Sequence, residues 1–335
     1  MTQAQHPVRL SVIVPAWNAA EIFAPHLPRL LEEADSLPGG VEVVVVDDGS
    51  LEGLPPLEDL LGRVGGPVRL LRRSTHSGFA VTANAGAQDA RGEYLLFLND
   101  DMHVEQGCFR ALVQILERRP EVFAVSPVVI NLEEGLPEST IRTRLHRGVF
   151  DHVFPGRAGT PPPARGTVRR VAYACGGAFA CRRAEFLELG GFPEMLSPVY
   201  WEDAGLGWIA RRRGFESIES GDGLVLHDHA RTVSSELTPR QVRDYYEKNR
   251  LLFTWVHLVG WRAWLSHVVW MPLRLGSSLL RDGSLLRAFI AALGCLGDVR
   301  RSRANLASTR PRAHELVQHL RGADEAGWPN DPDSP

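Results

Sequence analysis

A doubly wound α/β fold, with helices flanking a mostly parallel sheet, is predicted for this 335-residue chain by three observations. Short apolar runs recur along the N-terminal half, each stops abruptly at polar residues, and the stretches between them accept helices. Leu10 to Pro15 is the first run, closed by Pro15; Val41 to Val46 is mainly β-branched and closes with Asp47-Asp48-Gly49-Ser50; Gly92 to Leu98 closes with Asn99-Asp100-Asp101. Continuous runs of this length suit strands buried on both faces of a parallel sheet. Between the first two, residues 19–37 can be helical, with Pro25 and Pro28 confining the regular part. Residues 51–67, rich in Gly, Pro and Leu, read as a loose connection. Val68 to Arg72 fits a further strand and Ala80 to Ala90 a helix. Gln106 to Glu117 carries Phe109, Leu112, Val113 and Leu116 at helical spacing and ends at Arg118-Arg119-Pro120. Val122 to Ile130 is again strand-like, whereas residues 131–168 lose periodicity around Pro161-Pro162-Pro163 and read as a long loop.

In a doubly wound sheet the C-terminal strand ends lie side by side over one crevice. Trp17, Asp47, Asp48, Asp100 and Asp101 can therefore share a site although they are distant in sequence. Asp and Gly after a strand usually do no more than turn the chain; their repetition at successive strand ends points instead to a built site. A hard divalent cation takes oxygen ligands, which makes the Asn99-Asp100-Asp101 turn a metal-site candidate.

Composition fits a folded enzyme. Hydrophobic residues make up 44% and charged residues 23%, enough for a large core and a further subdomain. The formal charge of −3 argues against nucleic acid as the main partner, because phosphate binding needs a basic surface. Lys248 is the sole lysine, so the positive charge is almost all arginine. Cys108, Cys175, Cys181 and Cys295 show neither CxxC nor zinc spacing and read as reduced thiols of a cytoplasmic protein. Met1 to Pro7 lacks the apolar core of a signal peptide.

The ordered motifs carry a resemblance. Ser11-Val12-Ile13-Val14-Pro15-Ala16-Trp17-Asn18, Val46-Asp47-Asp48-Gly49-Ser50, Gly78-Phe79-Ala80 with Asn84-Ala85-Gly86, and Leu98-Asn99-Asp100-Asp101 are followed by Gly176-Gly177-Ala178-Phe179, Gly190-Gly191-Phe192 and Trp201-Glu202-Asp203. Together they span roughly residues 8 to 232, and the set resembles the family 2 glycosyltransferases of the GT-A fold, among them the rhamnosyltransferase-like enzymes of cell-surface polysaccharides. Each motif is weak alone; the order is specific. The resemblance implies an inverting transferase that moves a sugar from a nucleoside-diphosphate-sugar of UDP or dTDP type to an acceptor hydroxyl, with Mg²⁺ or Mn²⁺ as cofactor.

It also implies roles. Pro15, Trp17, Asn18, Asp47, Asp48, Gly78, Asn84, Asn99, Asp100 and Gly177 would bind the donor, Trp17 stacking on the base and Asp48 accepting the imide proton of uracil or thymine. Asn99 stands first in the family's Asp-x-Asp place, so one charge is missing and Asp101 carries most of the cation binding, helped by Asp100. His227, with His229 as the alternative, would reach the metal or the diphosphate. Leu206, Ile209 and Ala210 share a helical face behind Glu202-Asp203, which sets both acids in the first turn. Asp203 takes the family's general-base role, with Glu202 as the alternative. Helix capping is the ordinary duty of such acids. Gly205 stands where relatives often carry another acid, which leaves open any acceptor contact made there. Residues 131–168 are the expected cover over the acceptor side.

Residues 1–235 are thus read as the nucleotide-sugar-binding catalytic domain, 236–321 as a helical extension and 322–335 as a disordered tail. Trp255, Trp261, Trp264 and Trp270 among scattered arginines suit a helix lying on the inner leaflet, where a lipid-linked or glycan acceptor would be met. A packing layer or subunit interface is the competing reading. A nucleotidyltransferase would need a basic Gly-rich triphosphate loop after the first strand, which is missing; a non-catalytic nucleotide-sugar-binding relative would explain Asn99 and Gly205.

Overall fold

The computed structural model describes residues 8–64, 66–228 and 237–308. Its strands are β1 (Leu10–Ala16), β2 (Val41–Asp47), β3 (Val68–Arg72), β4 (Tyr94–Leu98), β5 (Met102–Val104), β6 (Val122–Asn131), β7 (Arg142–His146), β8 (Val149–Val153), β9 (Val168–Val171), β10 (Ala178–Arg182) and β11 (Glu216–His227). Helices α1 (Ala20–Phe23), α2 (Leu27–Ser36), α3 (Leu57–Val64), α4 (Phe79–Asp89), α5 (Cys108–Arg118), α6 (Arg183–Glu188) and α7 (Glu202–Arg212) accompany them. Four more close the described chain: α8 (Pro239–His257), α9 (Trp261–Leu279), α10 (Ser284–Leu293) and α11 (Leu296–Ser308).

The large sheet runs β3-β2-β1-β4-β10-β6-β11-β5, with β9 added on β11. β1, β2, β3 and β4 are parallel, as their uninterrupted apolar runs require, and so are β6 and β11. Ala16 lies opposite Asp47 and Asp47 opposite Arg72, so the ends of these three strands are level. β10 is antiparallel to β4, with Ala178 opposite Leu98, which brings Gly176-Gly177 beside the Asn99 turn. β5 is antiparallel to β11, setting His227 opposite Met102.

Three expectations are corrected. Residues 131–168 are not one loop: β7 and β8 pair as a hairpin around Arg147-Gly148, and Ile141, Val149 and Phe150 enter a core shared with α7 and α8. β7 is mostly polar and lies partly exposed, so no apolar run marks the pair in the sequence. Residues 51–67 contain α3, whose Leu57 plugs the main core. The expected helix over 19–37 breaks into α1 and α2, because Pro28 is tolerated only in a first helical turn.

α8 starts sharply. Thr238 and Gln241 form a capping box, and Pro239 follows at the first helical position. Leu251, Leu252, Phe253, Trp255 and Val256 of this helix join Trp201 and Trp208 in the shared core. The extension therefore packs directly on the helix that carries Glu202 and Asp203. The tail expected from residue 322, and the alternative ligand His229, lie outside the described residues.

Candidate active site

A cavity of about 310 Å³ opens at the C-terminal ends of β1, β2 and β4, and its walls include Pro15, Trp17, Asp48, Gly78, Asn99 and Asp100. Gly78 has φ 89°, and a Cβ on it would stand 2.6 Å from the Pro198 backbone. Only glycine lets α4 begin this close to the opposite wall. Phe79 N–H then donates to Pro198 O at 3.2 Å, closing the rim.

Asp48 is buried and heavily engaged. Its oxygens accept from Ser77 N–H (3.1 and 3.0 Å) and Gly78 N–H (2.8 Å), and His76 Nδ1 lies 2.9 Å from Oδ2. Arg73 stands 3.3 Å from the other oxygen. The carboxylate thus organises the 76–78 loop as well as facing the cavity. Trp17 stacks on His76 with ring centroids 3.9 Å apart and 21° between planes. Together they form a flat platform, and Trp17 Nε1 has no hydrogen-bond partner among the described residues.

Asn18, Asp47 and Asn84 do not line the cavity. Asn18 ties the first two strand ends together, its N–H donating to Ser50 Oγ (2.8 Å) and its Oδ1 accepting from Leu51 N–H (2.9 Å). Asp47 accepts from Ser50 N–H and Oγ–H and from Arg72 Nε. Asn84 grips Phe192 twice, accepting from its N–H (2.8 Å) and donating to its O (2.9 Å). These side chains brace the site, because a buried amide or carboxylate commits its polar atoms to the nearest backbone. Each was expected to contact the donor; in the structure each makes these bracing contacts outside the cavity wall.

Asn99, Asp100 and Asp101 turn the chain from β4 into β5. Asn99 N–H donates to Gly177 O (2.9 Å), and a Cβ on Gly177 would meet Asn99 Nδ2 at 2.9 Å. The glycine clears room for the Asn99 side chain. Asp100 is buried, and desolvation first, then the Asp101 charge, raises its pKa well above the usual range. A bound cation would reverse that penalty.

Asp101 Oδ1 lies 3.4 Å from His227 Nε2, and His227 Nδ1 lies 2.9 Å from Glu138 Oε2. Burial works against charging this imidazole, but bonds to Asp101 and Glu138 outweigh it and lift the pKa to about 9. Among the described residues no group of three His, Cys, Asp or Glu side chains surrounds a metal position. Two protein ligands still fit a Mg²⁺ or Mn²⁺ ion, which keeps several open positions for phosphate oxygens and water. Ligands about 2.1 Å from one ion and near right angles to each other are roughly 3 Å apart. The 3.4 Å between Asp101 and His227 is close to that spacing.

Glu202 and Asp203 open α7 directly after Tyr200 and Trp201, both at positive φ (70° and 75°). Strain of this kind persists only where packing enforces it, and Trp201 is clamped between His152, Tyr246 and Phe253. Asp203 Oδ1 accepts from Ala204 N–H (2.7 Å) and Oδ2 from Gly176 N–H (3.1 Å). A Cβ on Gly176 would stand 3.0 Å from Asp203 Cβ. Consecutive glycines therefore seat the Asn99 turn on one side and Asp203 on the other. Desolvation raises Asp203 to about 6 against three backbone hydrogen bonds that lower it. Desolvation first and the Asp203 charge second push Glu202 well above the carboxylate range, and its Oε2 has no hydrogen-bond partner among the described residues. The pair splits, so Asp203 ionises at lower pH than Glu202. Gly205 faces the other way, where a Cβ would meet Pro193 at 2.9 Å. An acid there would not fit.

Four contributors were not legible in sequence. His76 belongs to no motif; Tyr245 and Leu237, from the C-terminal region, line the cavity wall; Glu138 sits in a stretch read as loop. Only the extra stacking-capable ring near Gly78 offered any signal.

A mostly parallel sheet whose strand ends hold this cavity, with paired acids on an adjoining helix, has the architecture of the GT-A glycosyltransferases. Residues 11–188 match the model of glycosyl transferase family 2, more than half of the chain, and the chain belongs to that family. A curated relative described as an uncharacterized glycosyltransferase of Haemophilus influenzae is 34% identical over 114 residues, covering 34% of this chain and 36% of the relative. The chain spans about a third of the length of such curated relatives. The solved structure of GalNAc-T7 with UDP, GalNAc and Mn²⁺ superposes with a TM-score of 0.56 at 18% identity, over 75% of this chain and 48% of that one. S. aureus TarS 1-349 in complex with UDP-GlcNAc superposes with a TM-score of 0.55 at 15% identity, over 95% and 93% of the two chains, so the fold likeness includes the helical extension.

Proposed function

We propose that this protein is an inverting, cation-dependent glycosyltransferase that uses a UDP- or dTDP-sugar donor, with residues 1–235 as its catalytic domain and 236–321 as an extension that meets the acceptor. The observation that carries the reading is the joining, through Gly176-Gly177, of a nucleotide-sized cavity to an acid pair split in proton affinity. Trp17 and His76 hold the base by stacking, and Asp48 supplies an acceptor at its edge. Asp101 and His227 would hold Mg²⁺ or Mn²⁺, with buried Asp100 adding charge beside them. The ion, when bound, would supply positive charge to the leaving diphosphate.

In the reaction itself the acceptor hydroxyl oxygen forms the new bond to the anomeric carbon while the bond from that carbon to the diphosphate oxygen breaks. The hydroxyl proton passes to the ionised Asp203 carboxylate, and the nucleoside diphosphate leaves with the bonding electrons. A single displacement inverts the anomeric centre. The β7–β8 hairpin and α8, packed on the helix that carries Asp203, would restrict water on the acceptor side and so favour transfer over hydrolysis. A thermal-shift screen of nucleoside diphosphate sugars with and without Mn²⁺ tests the reading. A stabilising donor that depends on Mn²⁺ and yields inverted product by NMR supports it. If no nucleoside diphosphate shifts the transition, the reading fails.

The acceptor is a glycan or lipid-linked saccharide of cell-surface assembly, met on the cytoplasmic face of a membrane. Among the described residues no helix is long and apolar enough to cross one. α9 instead turns an apolar face outward: Trp261 (70% exposed), Leu265, Val268, Val269, Leu273 (61%) and Leu279 lie along it, and Leu280 (90%) follows. Residues 261–281 contain no Asp or Glu, while Arg262 and Arg281 stand at the ends of the face. That pattern fits an anionic lipid surface, whereas a second copy would oppose arginine to arginine. Co-sedimentation of the full chain with anionic but not neutral vesicles, lost in Leu265→Glu/Leu273→Glu, supports this contact. Equal pelleting of the variant, or a dimer by light scattering that the variant abolishes, overturns it.

A further inference from the structure

We propose that Glu138 is a positioning residue of the donor cation site, fixing the His227 ring so that Nε2 points at the ion shared with Asp101. The inference rests on the reading of Asp101 and His227 as ligands and adds a residue that neither motif nor spacing suggests. Glu138 is reached by a tight return of the chain after β6. Asn131 Oδ1 accepts from Glu133 and Glu134 N–H (2.9 Å each), Asn131 N–H donates to Leu136 O (3.0 Å), and Glu138 N–H donates back to Val129 O (2.8 Å). The return carries Glu138 alongside the end of β11, where Asn131 is already in register with His227.

There the two oxygens divide their work. Oε1 accepts from Arg157 Nη2 (2.8 Å) and Asn131 Nδ2 (3.2 Å), which anchors the carboxylate from behind. Oε2 faces His227 Nδ1 at 2.9 Å. Glu138 and His227 side chains are only 11% and 12% exposed, so solvent does little to loosen the contact. An imidazole whose Nδ1–H donates to a carboxylate has its ring plane fixed, and Nε2 is the atom left to bind a metal once the cation displaces its proton. Nε2 is the atom 3.4 Å from Asp101. An Asn heads the turn in place of the first acid, so the ion has one fewer carboxylate and depends more on how well His227 is aimed.

The experiment measures Mn²⁺ binding directly, by electron paramagnetic resonance titration of the full chain with UDP and, in parallel, GDP. Glu138→Ala should weaken Mn²⁺ by roughly 10- to 100-fold, the usual cost of losing the partner of a ligating histidine. Glu138→Gln, whose amide oxygen can still accept from Nδ1, should stay within a few-fold of wild type. In a His227→Ala background Glu138→Ala should cost nothing further, because the effect runs through the ring. A folded Glu138→Ala with wild-type Mn²⁺ affinity overturns the proposal, as does a full effect persisting without His227. Should Glu138→Ala fail to fold, Glu138→Asp keeps the charge but withdraws the carboxylate by one methylene, and carries the same expectation. Wild-type protein that binds the nucleotide but no Mn²⁺ overturns the cation reading itself, a result distinct from either.

Discussion

Replacing Asp203 by Asn separates chemistry from stability more cleanly than any other change in this site. Raising a carboxyl from 3.8 to about 6 means that ionising it inside the fold costs about 3 kcal/mol more than in water. That cost is absent below pH 4, grows as pH rises through about 6, and is complete at neutral pH. A neutral amide in this place never incurs it. Asn offers one acceptor oxygen where Asp offers two, so either the Ala204 or the Gly176 N–H loses its partner, at about 1–3 kcal/mol. The two effects nearly cancel, and the variant should melt within a few degrees of wild type at pH 7.5. Turnover should behave otherwise. Loss of a general base costs at least about 100-fold, or about 2.7 kcal/mol of barrier. Donor KM should hardly move, since the base acts on the acceptor proton. In the wild-type enzyme kcat/KM should rise with pH through about 6 and then level, and this limb should vanish in Asp203→Asn. Steady-state transfer assays from pH 5 to 8.5, paired with calorimetry, read all of these. Turnover above a tenth of wild type with the limb intact would refute the assignment; the same loss in Glu202→Gln alone would move the base to Glu202.

Asp101→Ala should abolish cation-stimulated transfer with the fold intact, and wild-type stimulation by Mn²⁺ in that variant would count against its place as a ligand. Trp17→Ala should weaken donor binding by about 10-fold or more, as loss of a stacking face does, read by calorimetric titration with the nucleoside diphosphate; unchanged affinity would leave His76 as the sole platform. Gly78→Ala combines a φ of 89° with a Cβ 2.6 Å from Pro198, and should cost several kcal/mol by denaturant unfolding or fail to fold; wild-type stability would show that the rim relaxes. The full chain should co-sediment with anionic vesicles, and added salt should weaken this; retention at high salt would point to purely apolar contact.

The sheet was legible because buried parallel strands must be apolar at nearly every position, and β1, β2, β4 and β6 are. Their polar ends marked the crevice for the same reason, since Pro15, Trp17, Asp48, Asn99 and Asp100 all reach its wall. Local pattern could also set Glu202 and Asp203 in a first helical turn. It could not divide cavity residues from braces. Asn18, Asp47 and Asn84 are as polar as Asp48, and only the positions of Ser50, Arg72 and Phe192 commit them to holding loops. The hairpin of β7 and β8 was invisible because Arg142-Thr143-Arg144-Leu145-His146 is mostly polar and partly exposed, so no apolar run marks it and its pairing with β8 is set by tertiary contacts. Tertiary structure alone brings His76 onto Trp17, Tyr245 into the cavity wall and Glu138 against His227. Hydrophobic periodicity reports whether a residue is buried; which polar groups meet depends on chain reversals far apart in sequence, and no local code carries that.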